Sequence, residues 1–176
     1  MEFLVRGITR FDEPGVCLSF EESAEELARI IYTYGEERGS RRIARLIVEA
    51  RRRGPIETTG ELRAIVERAL GAHRRGGAHP ATRTFQALRI AVNREMESLA
   101  ALLRDGPALL NPGGRMLVIS YHSLEDRPVK ERFRELAHSG DYTAIARKVI
   151  KPSSAETSRN SRARSAKVRC IERSPR

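Results

Sequence analysis

Four side chains that can hydrogen-bond or move a proton crowd the end of one apolar run. In VISYHSLED, His122, Ser123, Glu125 and Asp126 follow Val118–Tyr121. The run has the length and composition of a buried strand. In open α/β sheets, ligands bind at the carboxyl ends of the strands. The cluster therefore stands where chemistry is expected. Ser123 with Asp126 three residues on also has the spacing of a helix N-cap, and acids in a first turn suit the helix dipole. That gives Ser123, Glu125 and Asp126 a structural reading. His122 has no capping role on this pattern, so it is the more informative residue: an imidazole can donate, accept or exchange a proton. A serine hydrolase is not indicated. There is no G-x-S-x-G elbow, and neighbours on an extended chain point to opposite sides.

A second group is polar and periodic. Thr82, Gln86, Arg89 and Asn93 recur at intervals of 4, 3 and 4 on an expected long helix over 81–103. Gln, Arg and Asn, with the adjacent Arg83, offer donors suited to bases or phosphates. The plainer reading is a solvated helix face. A third group is the tail. Residues 147–176 hold ten Lys/Arg and two acids, a net of +8 out of +10 for the chain. Such a tail suggests a polyanion, commonly nucleic acid, with Arg159, Arg162, Arg164, Lys167 and Arg169 as phosphate contacts. A solvated, partly disordered tail is the alternative. Aromatic content is 5% with no Trp, which argues against a base-stacking platform for single strands. Cys17 and Cys170 lack metal spacing, so neither a zinc site nor a disulfide framework is expected.

The elements that position these groups follow from period and punctuation. Ser23 with Glu26, and Thr58 with Glu61, are capping boxes, and Ser40 is a further cap. They open three amphipathic helices with apolar faces Leu27/Ile30/Ile31/Tyr34, Ile43/Leu46/Ile47/Ala50 and Leu62/Ile65/Val66/Ala69. Residues 71–80 are a flexible basic connector. On the long helix, Phe85, Leu88, Val92, Met96, Leu99 and Leu103 share a face. A strand over 116–121 precedes a helix to about 137. A short strand in KVIKPS, a flexible polar loop from 153 to 165 and a final strand in AKVRCIER complete the chain. The order predicts α/β, with a helical module ahead of the end of a sheet. Residues 1–19 carry no clear period, and a secretory leader is not expected there. Nothing reaches the roughly 18 apolar residues of a membrane span, so a cytoplasmic place without membrane attachment is expected.

GGRMLVISYHSLEDRPVKERF closely resembles the C-terminal signature of the RsmH (MraW) family. HPATRTFQALRIAVNREMESL (79–99), PIETTGEL (55–62) and KPSSAETSRNSRARSAKVRCIER (151–173) are similar to the same family's long helix, helical insert and closing strands. The family methylates the exocyclic N4 of a cytidine in small-subunit ribosomal RNA, with S-adenosylmethionine as donor. The resemblance implies a class I (Rossmann-like) methyltransferase domain. Residues 20–80 would be a substrate-recognition insert, and 81–176 the last part of the catalytic domain with the basic tail. It implies ribosomal RNA or the small subunit as partner, His122 and Ser123 as catalytic candidates, and Arg83, Gln86, Arg89 and Asn93 as insert-side RNA contacts.

Two departures qualify the resemblance. The family's glycine-rich cofactor turn is missing: no G-x-G occurs. The expectation is therefore a truncated form that is inactive alone and does not bind S-adenosylmethionine by itself. It would self-associate or need a complementing N-terminal segment. The alternatives are a non-catalytic RNA-binding remnant and a decayed fragment. Pro128 stands where the family has an aliphatic residue, which places the helix start nearer 127.

Overall fold

The computed structural model describes residues 22–71 and 79–175. The expectations for residues 1–19, and for the connector over 72–78, lie outside the described residues. Packing divides the chain into two units, with the division after Glu95.

The first unit is helical. α1 (Ala24–Gly35) and α3 (Thr59–Leu70) start on the capping boxes Ser23/Glu26 and Thr58/Glu61, each satisfying two otherwise orphaned amides. α2 (Ser40–Arg51) starts differently. Gly39 holds the cap position without a side-chain bond, and Ser40 is the first helical residue, buried against the core. The expected Ser40 cap is thus corrected. α4 (Thr82–Val92) packs on α1. Leu27, Ile31, Ile43, Ile47, Leu62, Val66 and Leu88 form one core, with Ile30, Leu46, Ile65 and Phe85 at its margin. The α1–α4 crossing is close because Gly35 lacks a side chain: a Cβ there would meet Arg83 O at 2.7 Å.

The long helix expected over 81–103 is two helices. Arg94 takes φ +52°, a left-handed conformation that no α-helix continues through. α5 (Glu95–Asp105) follows it. The apolar stripe is divided accordingly, with Leu88 in the first core and Leu99 and Leu103 in the second.

The second unit holds a three-stranded antiparallel sheet in the order β1-β3-β2. β1 is Arg115–Ser120, β2 Tyr142–Ala144 and β3 Lys167–Arg173. α6 (Ser123–His138) lies between β1 and β2 in sequence. Val129, Phe133 and Leu136 of α6 join Leu103, Met116, Val118 and Ile171 in the second core. The register places Met116 opposite Ile171 and Val118 opposite Arg169, so these residues share the covered face. Leu117 opposite Cys170 and Ile119 opposite Val168 share the other face. There Leu117 and Ile119 are 57% and 51% exposed, and Ile145 and Ile150, which bond to Cys170 and Val168, are 45% and 49% exposed. The strand expected to be covered on both faces is covered on one. β1 is also an edge strand.

Three local expectations change. KVIKPS contributes a single bridge, Ile150 to Val168, in place of a strand. The loop expected to be flexible is α7 (Ser154–Arg159) followed by a 3-10 turn, Ser161–Ser165. Ser153 caps α7 by accepting from Glu156 N–H at 3.1 Å, and Ala163 is buried. Pro128 sits inside α6, which starts at Ser123 and not near 127. Its missing N–H leaves the Leu124 carbonyl without its helical bond, a cost of about 3 kcal/mol in a helix interior.

Gly35→Ala should force α1 and α4 apart and lower stability by roughly 1–3 kcal/mol. Thermal denaturation of the two proteins checks this. A melting temperature equal to the parent's would show that the crossing has slack.

Candidate functional site

The carboxyl end of β1 runs into the amino end of α6, and the cap there is His122. Its Nδ1 accepts from Glu125 N–H at 3.4 Å, which corrects the expectation that Ser123 caps and His122 does not. The carboxylate of Glu125 reaches back to accept from Tyr121 N–H at 2.9 Å. His122 and Glu125 together therefore do the work of a reciprocal capping box. Because Nδ1 accepts, the neutral ring carries its proton on Nε2. Nε2 lies 3.1 Å from Glu125 Oε1, yet it makes no aligned hydrogen bond among the described residues. The contact is electrostatic. Burial of Glu125 pushes its carboxyl up, but the His122 ring and the Tyr121 amide outweigh that and hold it below the ordinary range. Ser123 is exposed in the first turn.

Asp126 is not a cap. Its carboxylate takes a forked pair from Arg169 (Nε–Oδ1 2.7 Å, Nη2–Oδ2 3.2 Å) and a third bond from Lys167 Nζ at 3.3 Å. The Arg169 guanidinium, helped by Lys167, holds the Asp126 carboxyl below its usual range against the opposing effect of burial. Lys167 and Arg169, expected as phosphate contacts, are placed as the clasp between β3 and the first turn of α6. Arg159, Arg162 and Arg164 are exposed on α7 and the turn after it. Arg159 Nε donates to Ala155 O of its own helix at 3.3 Å.

The polar row on α4 belongs to the first unit. Arg83 donates to Glu36 O at 3.3 Å and Gln86 to Tyr34 O at 3.2 Å, so both tie α4 to the carbonyl end of α1. Arg89 grips Glu95 through two bonds of 2.8 and 3.0 Å, and Asn93 adds a third at 3.3 Å. These donors have structural partners. Sequence reasoning missed the Asp126 clasp and the His122–Glu125 pair. The alternation of AKVRCIER carried a signal for the first, since it puts Lys167 and Arg169 on the face of Ile171, which must then supply a carboxylate.

A sulfonium cofactor with a carboxylate needs close backbone approach and exposed amides. The described glycines with positive φ are Gly71, Gly113 and Gly140. Gly113 precedes β1, at the end away from His122, and Gly140 follows α6. No glycine turn follows a strand end among the described residues.

The described residues form a helical unit followed by an α/β unit with a polar cluster at the end of β1. The model of the MraW methylase family matches residues 20–174, and the chain belongs to that family. It is 52% identical over 149 residues to the ribosomal RNA small subunit methyltransferase H of Acidobacterium capsulatum, covering 85% of this chain and 49% of that protein. It is 56% identical over 151 residues to the protein of that name from a Cyanothece species, with coverage of 86% and 49%. Against that of Thermomicrobium roseum it is 46% identical over 183 residues, with coverage of 93% and 56%. The chain thus spans about half the length of the curated relatives it matches. Among the described residues, no helix is long and apolar enough to cross a membrane.

Asp126→Asn should leave Arg169 half-paired in a mostly buried setting and cost about 3 kcal/mol, the lower end for breaking a buried pair. The pH dependence has a fixed sign. A depressed carboxyl stabilises fully above its ordinary value near ~3.9, and that contribution is lost as pH falls through the lower folded value. Denaturant titrations of both proteins should show the parent's advantage at neutral pH, shrinking in acid below about pH 4. An advantage that is constant across that range would remove the clasp from the account.

Proposed function

We propose that this chain supplies the carboxyl-terminal half of a small-subunit ribosomal RNA cytosine-N4 methyltransferase. A segment that binds S-adenosylmethionine must cover its sheet. One observation carries the proposal: among the described residues β1 has an unpaired edge, and Leu117, Ile119, Ile145 and Ile150 form an exposed apolar face beside it. Contiguous apolar surface of this kind marks an interface. The match to only about half of each relative leaves a comparable length of chain to fill it.

In this reading, His122 and Ser123 orient the target base at the β1 end. The cap on Nδ1 favours a particular role for His122. With Nδ1 engaged at the cap, Nε2 is the ring nitrogen left for the base; it is buried against Glu125 Oε1 at 3.1 Å, so it reaches a base acceptor by exchanging that contact. Ser123 adds a freely rotating hydroxyl. Arg159, Arg162 and Arg164 contact phosphates. The residues with structural partners, Arg83, Gln86, Arg89, Asn93, Lys167 and Arg169, hold the two units in working form. A non-catalytic RNA-binding role is the second reading. It is favoured by the exposed arginines Arg159, Arg162 and Arg164.

Complementation separates the two readings. The chain alone should bind no S-adenosylmethionine by calorimetry and should self-associate through the bare face. Leu117→Lys should restore a monomer in sedimentation without loss of helicity. Adding the remaining half of the Acidobacterium capsulatum relative should produce methyl incorporation into unmethylated small subunits. His122→Ala in that mixture should reduce turnover by roughly 10²-fold. Micromolar cofactor binding by the chain alone would overturn the account of the missing turn. RNA binding without incorporation in the mixture would favour the second reading.

A further inference from the structure

We infer that the outer face of α2 is an RNA-docking surface that takes the phosphate backbone. The inference rests on the reading that RNA is the substrate, and it adds a footprint within the helical unit. Arg38, Arg41, Arg42, Arg45, Arg52 and Arg53 are all exposed. Arg41, Arg42 and Arg45 stand on α2 within an arc of about 100° at 3.6 residues per turn, and Arg38, Arg52 and Arg53 lie in the turns at its two ends. That arc lies opposite the buried Ile43, Ala44 and Ile47. The seventh arginine of this stretch, Arg51, turns elsewhere and donates to Glu22 O at 2.7 Å.

The stripe is poorly neutralised. Glu49 is the one acid between residues 38 and 53. It stands 4.0 Å from Arg45, and no other arginine of the stripe has an ion pair among the described residues. α3 provides the contrast: Arg63 is paired with Glu67 at 3.0 Å, as an ordinary solvated face would be. Six like charges therefore stand on α2 and the turns that flank it. Their mutual repulsion is relieved by a polyanion, and the guanidinium fork matches phosphate oxygens. A membrane surface fits less well. The apolar side of α2 is spent on the core, so nothing remains to enter a lipid interface.

The test uses the full chain and a labelled single-stranded oligoribonucleotide of mixed sequence, titrated between ~50 and ~200 mM KCl by fluorescence anisotropy. The variant carries Arg41→Ala, Arg42→Ala, Arg52→Ala and Arg53→Ala. Alanine is a strong helix former and all four sites are exposed, so the fold should persist by circular dichroism. Affinity at low salt should fall at least ~10-fold, and the slope of log K against log salt should flatten by about 3, near 0.7 per lost contact. The same four positions changed to Lys should retain the slope. An unchanged slope in the Ala variant would overturn the surface. If the slope then fell on replacing Arg159, Arg162 and Arg164, the RNA reading would stand without it. No RNA binding by the parent chain, or binding only to phosphatidylserine vesicles, would overturn both.

Discussion

The clasp of Asp126 on Arg169 and Lys167 fixes the geometry on which the strand-end cluster depends. Arg169 stands on β3 opposite Val118 of β1, and Asp126 lies in the first turn of α6. One carboxylate therefore ties a helix start to the central strand, and the four-residue step back to His122 inherits that position. A forked Arg–carboxylate pair sets direction as well as distance, which a single lysine contact does not. Lys167 takes up remaining acceptor capacity, so the buried carboxylate is well satisfied. Without this tie, α6 would be held mainly by Val129, Phe133 and Leu136, whose apolar contacts are non-directional.

The same sheet is only half built as a core. α6 covers the face of Met116, Val118 and Ile171, while Leu117 and Ile119 face outward from the same strand. A period of two makes this unavoidable: a strand apolar at every position presents an apolar residue to each side. Fully burying one such side chain is worth about 1.5–3 kcal/mol. The exposed face is thus a standing drive toward association, and the β1 edge, unpaired among the described residues, adds backbone groups in the same place. Chemistry at the end of β1 and cover for its outer face are in this sense one requirement.

Much of this was legible from residue types. Both capping boxes, the apolar faces of α1 to α3, and β1 and β3 follow from spacing alone, because each is local. The family resemblance lay in long ordered motifs, and it agrees with the matched residues 20–174. What was not legible depends on single backbone angles or distant partners. The break at Arg94 is a φ of +52° that interrupts an unbroken apolar period, so periodicity saw one helix. α7 was legible but overlooked: Ser153 and Glu156 have the same three-residue spacing as the boxes that were found. The role of Asp126 could not come from its own neighbourhood, since its partners lie more than forty residues away.

The arginines show why charge counted along the chain misleads. The tail carries most of the net charge, and the rest of the sequence sums to nearly nothing. Yet Arg169 and Lys167 in the tail share the carboxylate of Asp126, which offsets one of their two charges, while the α2 stripe, hidden in that small sum, keeps almost all of its charge. The acids that cancel it on paper sit elsewhere, in the first turns of α1 and α3, where Glu26 and Glu61 are committed to capping amides. A carboxylate engaged at a cap offsets the chain's total and leaves a distant guanidinium free. The field that an approaching polyanion meets is therefore set by which acids are engaged and where, and on that measure α2, not the end of β3, is the more cationic surface.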